Sequence, residues 1–266
     1  MNELFKKFQN TLVADYKKLT IQKYILTFLI IFIALGAIFS FAVMILDYKY
    51  DNFTDPTSTF STIHTFLLQF TLVITIIFAG SVNICREFEN SVIKNIVLTG
   101  ISITHYLFAR LLLFIIIFSV ISFAVLAVDT LLFLAYFKSS FNYTTMFNQY
   151  PITILHLLNT VFLVVTFSAI SRVTIFPVLF SLIYYFFIEY FLIGIIKNFG
   201  PSLPKLKILV TMAGHSPLQL IEKIESAVGA GDVIIYLLSF FVYLVLYASI
   251  IWATTRNAQL GLLNKN

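Results

Sequence analysis

The sequence predicts an all-α integral membrane protein with six transmembrane helices, and two observations lead to this fold class. Hydrophobic residues make up 60% of the 266 residues and charged residues only 11%, a much smaller charged fraction than in a typical soluble domain. The apolar residues also gather into runs long enough to cross a bilayer. In lipid such runs must form helices, because each backbone N–H and C=O has to be paired within the segment. We therefore expect one transmembrane domain over residues 1–266.

The predicted spans are separated by polar segments. They cover residues 24–46, 62–84, 103–137, 152–170, 175–196 and 233–254. Residues 1–23 carry five Lys and have apolar side chains at helical spacing, so we expect an amphipathic interfacial helix in the headgroup layer. An ordinary basic flank of the first span is the alternative. The first apolar run starts too late and is too long to be a secretory signal peptide.

The distribution of Lys and Arg predicts the orientation of these spans. With the N-terminus inside, the inner segments hold eleven basic residues against four acids, and the outer segments hold six against six. This is the bias expected of cytoplasmic loops, and six spans return both termini to the cytoplasm. The net charge of +5 is spread over the loops, so it does not indicate a nucleic-acid partner.

The polar segment between the second and third predicted spans carries both acids and a basic excess. Over residues 86–98 we predict a helix whose apolar side faces the membrane and whose polar side, with Glu87 and Lys94, faces the cytosol. A turn at Thr99 and Gly100 then leads into the third span. A helix that only anchors two spans at the interface is the alternative.

This segment resembles the signature of type-2 ABC exporter permeases in the run Glu87-x-Glu89, Ser91, Ile96-x-Leu98-Thr99-Gly100-Ile101-Ser102, Tyr106 and Ala109-Arg110. The spans, the N-terminal amphipathic helix and the long last outer loop extend the resemblance over nearly the whole chain. One departure is Gly100, where the family usually has Pro. The resemblance implies a cytoplasmic coupling helix that docks on a nucleotide-binding subunit. The implied coupling residues are Arg86, Glu87, Glu89, Lys94 and Gly100.

The resemblance also implies the partners and the activity. The chain has no Gly-x-x-x-x-Gly-Lys-Ser/Thr run, so ATP and Mg would be bound by a separate ATPase, with two ATPase subunits per complex. This chain would then be a non-catalytic permease subunit without a cofactor of its own. It would pair with a second permease copy or a related permease in the bacterial cytoplasmic membrane. The implied function is ATP-driven export, by alternating access, of a hydrophobic or amphipathic cargo such as a peptide, lipid or drug.

A further helix is predicted in the last outer loop. Ser216 is placed to be its N-cap and Pro217 its first residue, and apolar side chains follow at helical spacing. The resemblance implies a re-entrant helix that dips into the outer leaflet before the last span. A surface helix packed on the outer ends of the bundle is the alternative.

Polar residues within the spans suggest where cargo passes. The candidate substrate-pathway residues are Gln69, Thr71, Thr75, Ser181, Tyr184 and Glu189. Hydrogen bonding between helices is the alternative role for the uncharged ones. Intramembrane acids are costly and point to function, so Glu189 and Asp129 could also be ion sites, unless both reach the outer interface or pair within the bundle.

The remaining chemistry is limited by composition. The four His have no ligand spacing, and the single cysteine, Cys85, excludes an intramolecular disulfide. We therefore predict no metal site. Two other functions stay open: an ATP-independent carrier or channel that uses Glu189 and Asp129, and a non-transporting membrane scaffold. Co-purification of an ATPase and ATP-dependent transport distinguish the exporter from both.

Overall fold

The computed structural model describes residues 34, 38, 42, 56–90, 92–98, 100–137, 143–199, 211, 213–227 and 229–263. This part of the chain is all-helical, with 92% helix and no strand, which confirms the predicted fold class. Four of its helices are long and apolar enough to cross a membrane. The protein is therefore a helical protein of membrane character. The predicted interfacial helix over residues 1–23 and the predicted first span lie outside the described residues.

The described helices follow one another with short connections. They are α1 (Pro56–Glu89), α2 (Val92–Leu98), α3 (Ile103–Phe137), α4 (Tyr143–Ser171), α5 (Ile175–Leu182), α6 (Ile193–Phe199), α7 (Pro217–Ser226) and α8 (Ala230–Leu263), with a π-helical segment, π1 (Ile183–Leu192), joining α5 to α6. The four candidate spans are Ile103–Ala124, Tyr150–Ser171, Ile175–Ile196 and Ala230–Arg256. They correspond to the last four predicted spans. Helix α1 contains the second predicted span.

Helix α4 begins earlier than the sequence predicts. The prediction ends a loop at Pro151 and starts the span at Ile152, whereas the helix starts at Tyr143 and encloses Pro151. Proline removes one backbone hydrogen bond from a helix. Here its ring is exposed while Ile152 and Thr153 beside it are buried. Burial of the same turn offsets the missing bond, so the helix continues through the proline.

The single helix predicted over residues 86–98 is wrong, because the chain breaks after α1. Helix α1 ends at Glu89, Asn90 forms a turn, and α2 begins at Val92. Asparagine favours turns because its side chain competes for backbone hydrogen bonds. The break also allows Glu87 and Ile93 both to be buried, although one straight helix would place residues six apart on different sides.

The chain divides into two units, Met1–Ile76 with Leu112–Leu158 and Ile77–Leu111 with Asn159–Asn266. In the first unit the rings of Phe123 and Tyr150 pack edge to face with centroids 5.6 Å apart. In the second unit α7 packs on α8, and large side chains such as Tyr106, Tyr185 and Phe240 are almost fully buried. Apart from Thr75, every predicted site residue with a described side chain belongs to the second unit.

The π-helical segment determines which side chains meet on the fifth predicted span. Its hydrogen bonds join residues five apart, as between the Ile193 N–H and the Ile188 carbonyl at its end. Residues five apart therefore lie one turn apart, instead of the three or four of an α-helix. The rings of Tyr185 and Tyr190 pack with centroids 5.6 Å apart in this way. Longer π-helical stretches are rare and often mark functional sites.

Candidate functional site

A buried ion pair joins the end of α1 to the first turns of α3. The Arg110 guanidinium donates to the Glu87 carboxylate, and the two residues are only 1% and 4% exposed. The Tyr106 hydroxyl donates to the other Glu87 oxygen and accepts from Arg110 Nε at 2.9 Å. The guanidinium also lies over the Tyr106 ring, 5.5 Å from its centroid. We call these three residues the buried triad.

The buried triad corrects one prediction about the coupling segment. Glu87 does not face the cytosol, so it is not on the surface where an ATPase could dock. The reason is that a guanidinium buried in an apolar helix needs a carboxylate partner, and Glu87 supplies it. The sequence held a signal for this contact. Arg110 lies within an otherwise apolar run, and charges in such runs are usually paired.

Glu89 has a second structural role at the same end of α1. Its Oε1 accepts from the backbone N–H of Thr174 at 2.8 Å and from the Thr174 hydroxyl at 3.0 Å. Thr174 is the N-cap of α5, but its own side chain makes no capping bond. The Glu89 carboxylate therefore lies at the positive end of α5, where a negative charge is stabilising. The predicted exposure of Glu89 is confirmed.

The turn that Glu89 holds has an unusual backbone. Arg172 has φ of 56°, the left-handed conformation that often ends a helix. Its N–H donates to the Ser168 carbonyl at 3.1 Å, and its guanidinium lies 5.9 Å from the centroid of the Phe88 ring. The end of α1 is thus bound both to α3 and to the turn between α4 and α5.

Helix α2 is amphipathic, as predicted. Ile93 is buried, Lys94 and Asn95 are exposed, and Leu98 is 69% exposed. Arg86, at the end of α1, is exposed as well. Two further exposed basic residues, Arg172 and Arg256, lie in the same unit. The side chains that remain accessible around the coupling segment are therefore mainly basic, whereas the sequence suggested acidic contacts.

Gly100 determines the path from α2 to α3. It has φ of +82°, and its N–H donates to the Val97 carbonyl at 2.9 Å. Proline is fixed near φ −65° and cannot adopt this conformation. The departure from the family pattern is therefore a different kind of turn. A Cβ at Gly100 would meet no atom within 4 Å, so only the backbone conformation favours glycine there.

A second polar cluster surrounds Glu189 on π1. Glu189 is 2% exposed, and its Oε1 accepts from the Tyr184 hydroxyl at 2.7 Å. Tyr184 also hydrogen-bonds to Tyr247 on α8. The hydroxyls of Tyr185 and Tyr190 lie close enough to interact electrostatically with the carboxylate. The π-helical spacing brings Tyr184 and Glu189 together, because residues five apart share a turn.

Ser216 and Pro217 begin α7 as predicted, but the Ser216 hydroxyl does not cap it. Ser216 is instead buried beside Glu189, and both it and the Leu218 N–H act electrostatically on the carboxylate. Oε2 of Glu189 and Oγ of Ser216 make no hydrogen bond within the described part of the chain. The cluster therefore contains a buried carboxylate with one unused oxygen and an unused hydroxyl.

The other candidate pathway residues give less information. Ser181 is fully buried in the second unit, and Thr75 is buried in the first. Gln69 and Thr71 lie on α1 and Asp129 on α3, but their side chains are outside the described part. No group of three metal-ligating residues occurs among the described residues. Only Tyr184, Glu189 and Ser216 are brought together.

Comparisons of this chain with protein-family models, curated proteins and solved structures find no match. The class of protein that the fold defines is therefore a helical membrane protein. Its two polar clusters carry the functional argument.

Proposed function

We propose that this chain is the transmembrane permease subunit of a type-2 ABC exporter, driven by separate ATPase subunits that bind ATP and Mg. The observation that carries the proposal is the position of α2. This short helix buries Ile93 and exposes Lys94 between two long apolar helices. It thus presents a polar surface to a partner without entering the apolar bundle.

The buried triad gives this surface a mechanical connection. A partner that pushes α2 also pushes α1 and α3, because Glu87 and Arg110 hold the adjoining ends of these helices together. The Glu89 contact extends the connection to α5. Closure of two ATPase subunits on ATP would therefore move several helices as a rigid body and switch access to the cargo path.

The exposed charges define what the ATPase must offer. Arg86 and Lys94 are exposed and basic, so the complementary groove on the ATPase would be acidic. Complementary charge mainly speeds association and selects the partner. This refines the expectation from the sequence, which assigned docking to Glu87 and Glu89.

The test is the ATPase activity of the chain purified from its native membranes. We expect Mg²⁺-dependent ATP hydrolysis to co-purify with it. The double change Arg86→Glu with Lys94→Glu should reduce that activity at least about tenfold while the protein stays folded. The control Glu225→Lys reverses an exposed charge on α7 and should have no effect. No co-purifying hydrolysis, or equal hydrolysis in the charge-reversed variant, would contradict the proposal.

The long apolar helices support a hydrophobic or amphipathic cargo and a dimeric permease. The candidate spans Ile175–Ile196 and Ala230–Arg256 are each only 22% buried, against 78% for Tyr150–Ser171. Large exposed apolar surfaces in membrane proteins face lipid or another helix. A second permease copy or a related permease, with surrounding lipid, would cover them.

One observation favours the alternative of an ATP-independent carrier. Glu189 is a buried acid inside a candidate span, and such acids often mark ion pathways. Transport in vesicles made with the purified chain distinguishes the two functions. Uptake that depends on ATP and the partner supports the exporter, and uptake without them supports the carrier.

A further inference from the structure

We propose that the Glu189 cluster binds an organic ammonium group. This inference goes beyond the proposed function, because the site lies within one chain and needs no ATPase. It rests on three features of the cluster: a buried carboxylate with an unused oxygen, a second unused hydroxyl beside it, and a wall of tyrosine rings.

The first feature is charge without compensation. Glu189 is 2% exposed, and a buried carboxylate is costly unless a cation or a proton neutralises it. The charged neighbour that acts on it is Glu222 on α7, which is also acidic. Lys223 instead bonds to the Gly214 carbonyl and lies 5.5 Å from the centroid of the Tyr236 ring. The described part of the chain thus offers Glu189 no basic partner.

The second feature is unused hydrogen-bonding capacity. Oε2 of Glu189 and Oγ of Ser216 are both buried without a hydrogen bond in the described residues. Ser216 is 8% exposed and lies close enough to Glu189 to act on it. Buried polar atoms are normally paired. A positively charged group beside Oε2 would use the oxygen that Tyr184 leaves open.

The third feature is the aromatic wall, which selects the class of cation. Tyr184, Tyr185 and Tyr190 on π1 and Tyr243 and Tyr247 on α8 all interact with the Glu189 carboxylate. Inorganic cations require several oxygen ligands around them. Aromatic rings instead attract organic ammonium groups through their faces. The single carboxylate and the surrounding rings therefore favour an organic cation.

The cluster also reaches the molecular surface. Tyr190 is 48% exposed, and its ring stacks on Phe186 at 6.4 Å between centroids. A ligand could therefore contact this ring first and then reach Glu189.

The test is binding of phenyltrimethylammonium to the full chain in lipid nanodiscs, with empty nanodiscs subtracted. We expect saturable binding that its neutral isostere, tert-butylbenzene, does not displace. Glu189→Gln should weaken binding roughly tenfold or more, because the charge is lost but the shape is kept. The matched control Glu222→Gln, on the exposed side of α7, should change affinity less than about threefold.

A second variant keeps the test decisive if Glu189→Gln does not fold. Tyr190→Leu should weaken binding roughly threefold to tenfold through loss of the ring face. The proposal is overturned by absence of binding, by equal binding of the neutral isostere, by displacement with Na⁺ alone, or by unchanged affinity in Glu189→Gln or, where that variant is unfolded, in Tyr190→Leu. Since no ATPase is present, a failure here leaves ATP-driven export standing, and loss of co-purifying hydrolysis leaves this site standing.

Discussion

Glu87 and Arg110 lie 23 residues apart in the sequence and form a buried salt bridge between the end of α1 and the start of α3. Tyr106 completes the arrangement by bonding to both partners. The chain thereby closes the coupling segment into a loop whose two ends are fixed to each other. This relationship gives α2 a rigid base, and it leads to the first prediction.

Removing Glu87 should destabilise the protein strongly. Glu87→Ala leaves the Arg110 guanidinium buried with its main carboxylate partner missing, which typically costs about 3–5 kcal/mol. Thermal unfolding in detergent measures the loss. Replacing both partners with apolar residues, as in Glu87→Leu with Arg110→Met, should recover most of the stability. A loss in Glu87→Ala no larger than that in the exposed Glu89→Ala would contradict the prediction.

Gly100 should tolerate substitution according to backbone conformation alone. With φ at +82° and open space around a Cβ, Gly100→Ala should cost about 1–2 kcal/mol. Gly100→Asn should cost less, because Asn visits this region more readily. Gly100→Pro should be the most damaging. Unfolding temperatures of the three variants check this order.

Gly194 on α6 is the matched control for Gly100. A Cβ added at Gly194 would likewise meet no atom within 4 Å, but the backbone there is helical. Gly194→Ala should therefore stabilise the helix by up to about 1 kcal/mol. Effects of the same sign at both glycines would show that conformation is not the cause at Gly100.

Glu89 and Thr174 should be energetically coupled. The carboxylate accepts two hydrogen bonds from Thr174 at an exposed site, so we expect a coupling energy of about 0.5–1.5 kcal/mol in a double-mutant cycle of Glu89→Ala and Thr174→Val. Thr254 is the control, because its hydroxyl bonds only to carbonyls in its own helix. Glu89→Ala combined with Thr254→Val should give no coupling. A coupling near zero for the first pair would remove the proposed tie to α5.

Cys85 should be unreactive in the folded protein. It is fully buried, and burial raises the pKa of its thiol to about 11. The thiolate, which is the nucleophile, is therefore scarce at neutral pH and becomes abundant only as the pH approaches that value. Maleimide at neutral pH should label the native protein very slowly and the SDS-denatured protein completely. Because Cys85 is the only cysteine, the wild-type chain needs no background substitution.

An exposed cysteine provides the control for Cys85. Asn95→Cys places a thiol on the exposed side of α2, where maleimide should react rapidly in the native protein. Rapid labelling of native wild-type protein would show that Cys85 is accessible and would contradict its buried position.

The sequence determined the helical fold and most helix positions. Low charge and long apolar runs leave helices as the main way to pair the backbone in lipid, and α3 begins and ends where the pattern predicts. The exposed position of Lys94 and the start of α7 at Ser216 and Pro217 follow from local periodicity and capping preferences. These features depend on residues close together in the chain.

Only the tertiary structure decided the roles of the charged residues. Periodicity placed Glu87 on a polar face, but Arg110 drew it into the core, because a buried guanidinium needs a carboxylate. The Glu189 cluster likewise depends on π-helical spacing and on Ser216 from another helix. Local patterns carry propensity and exposure, whereas the partner of a buried charge comes from distant parts of the chain and is fixed only when the helices pack.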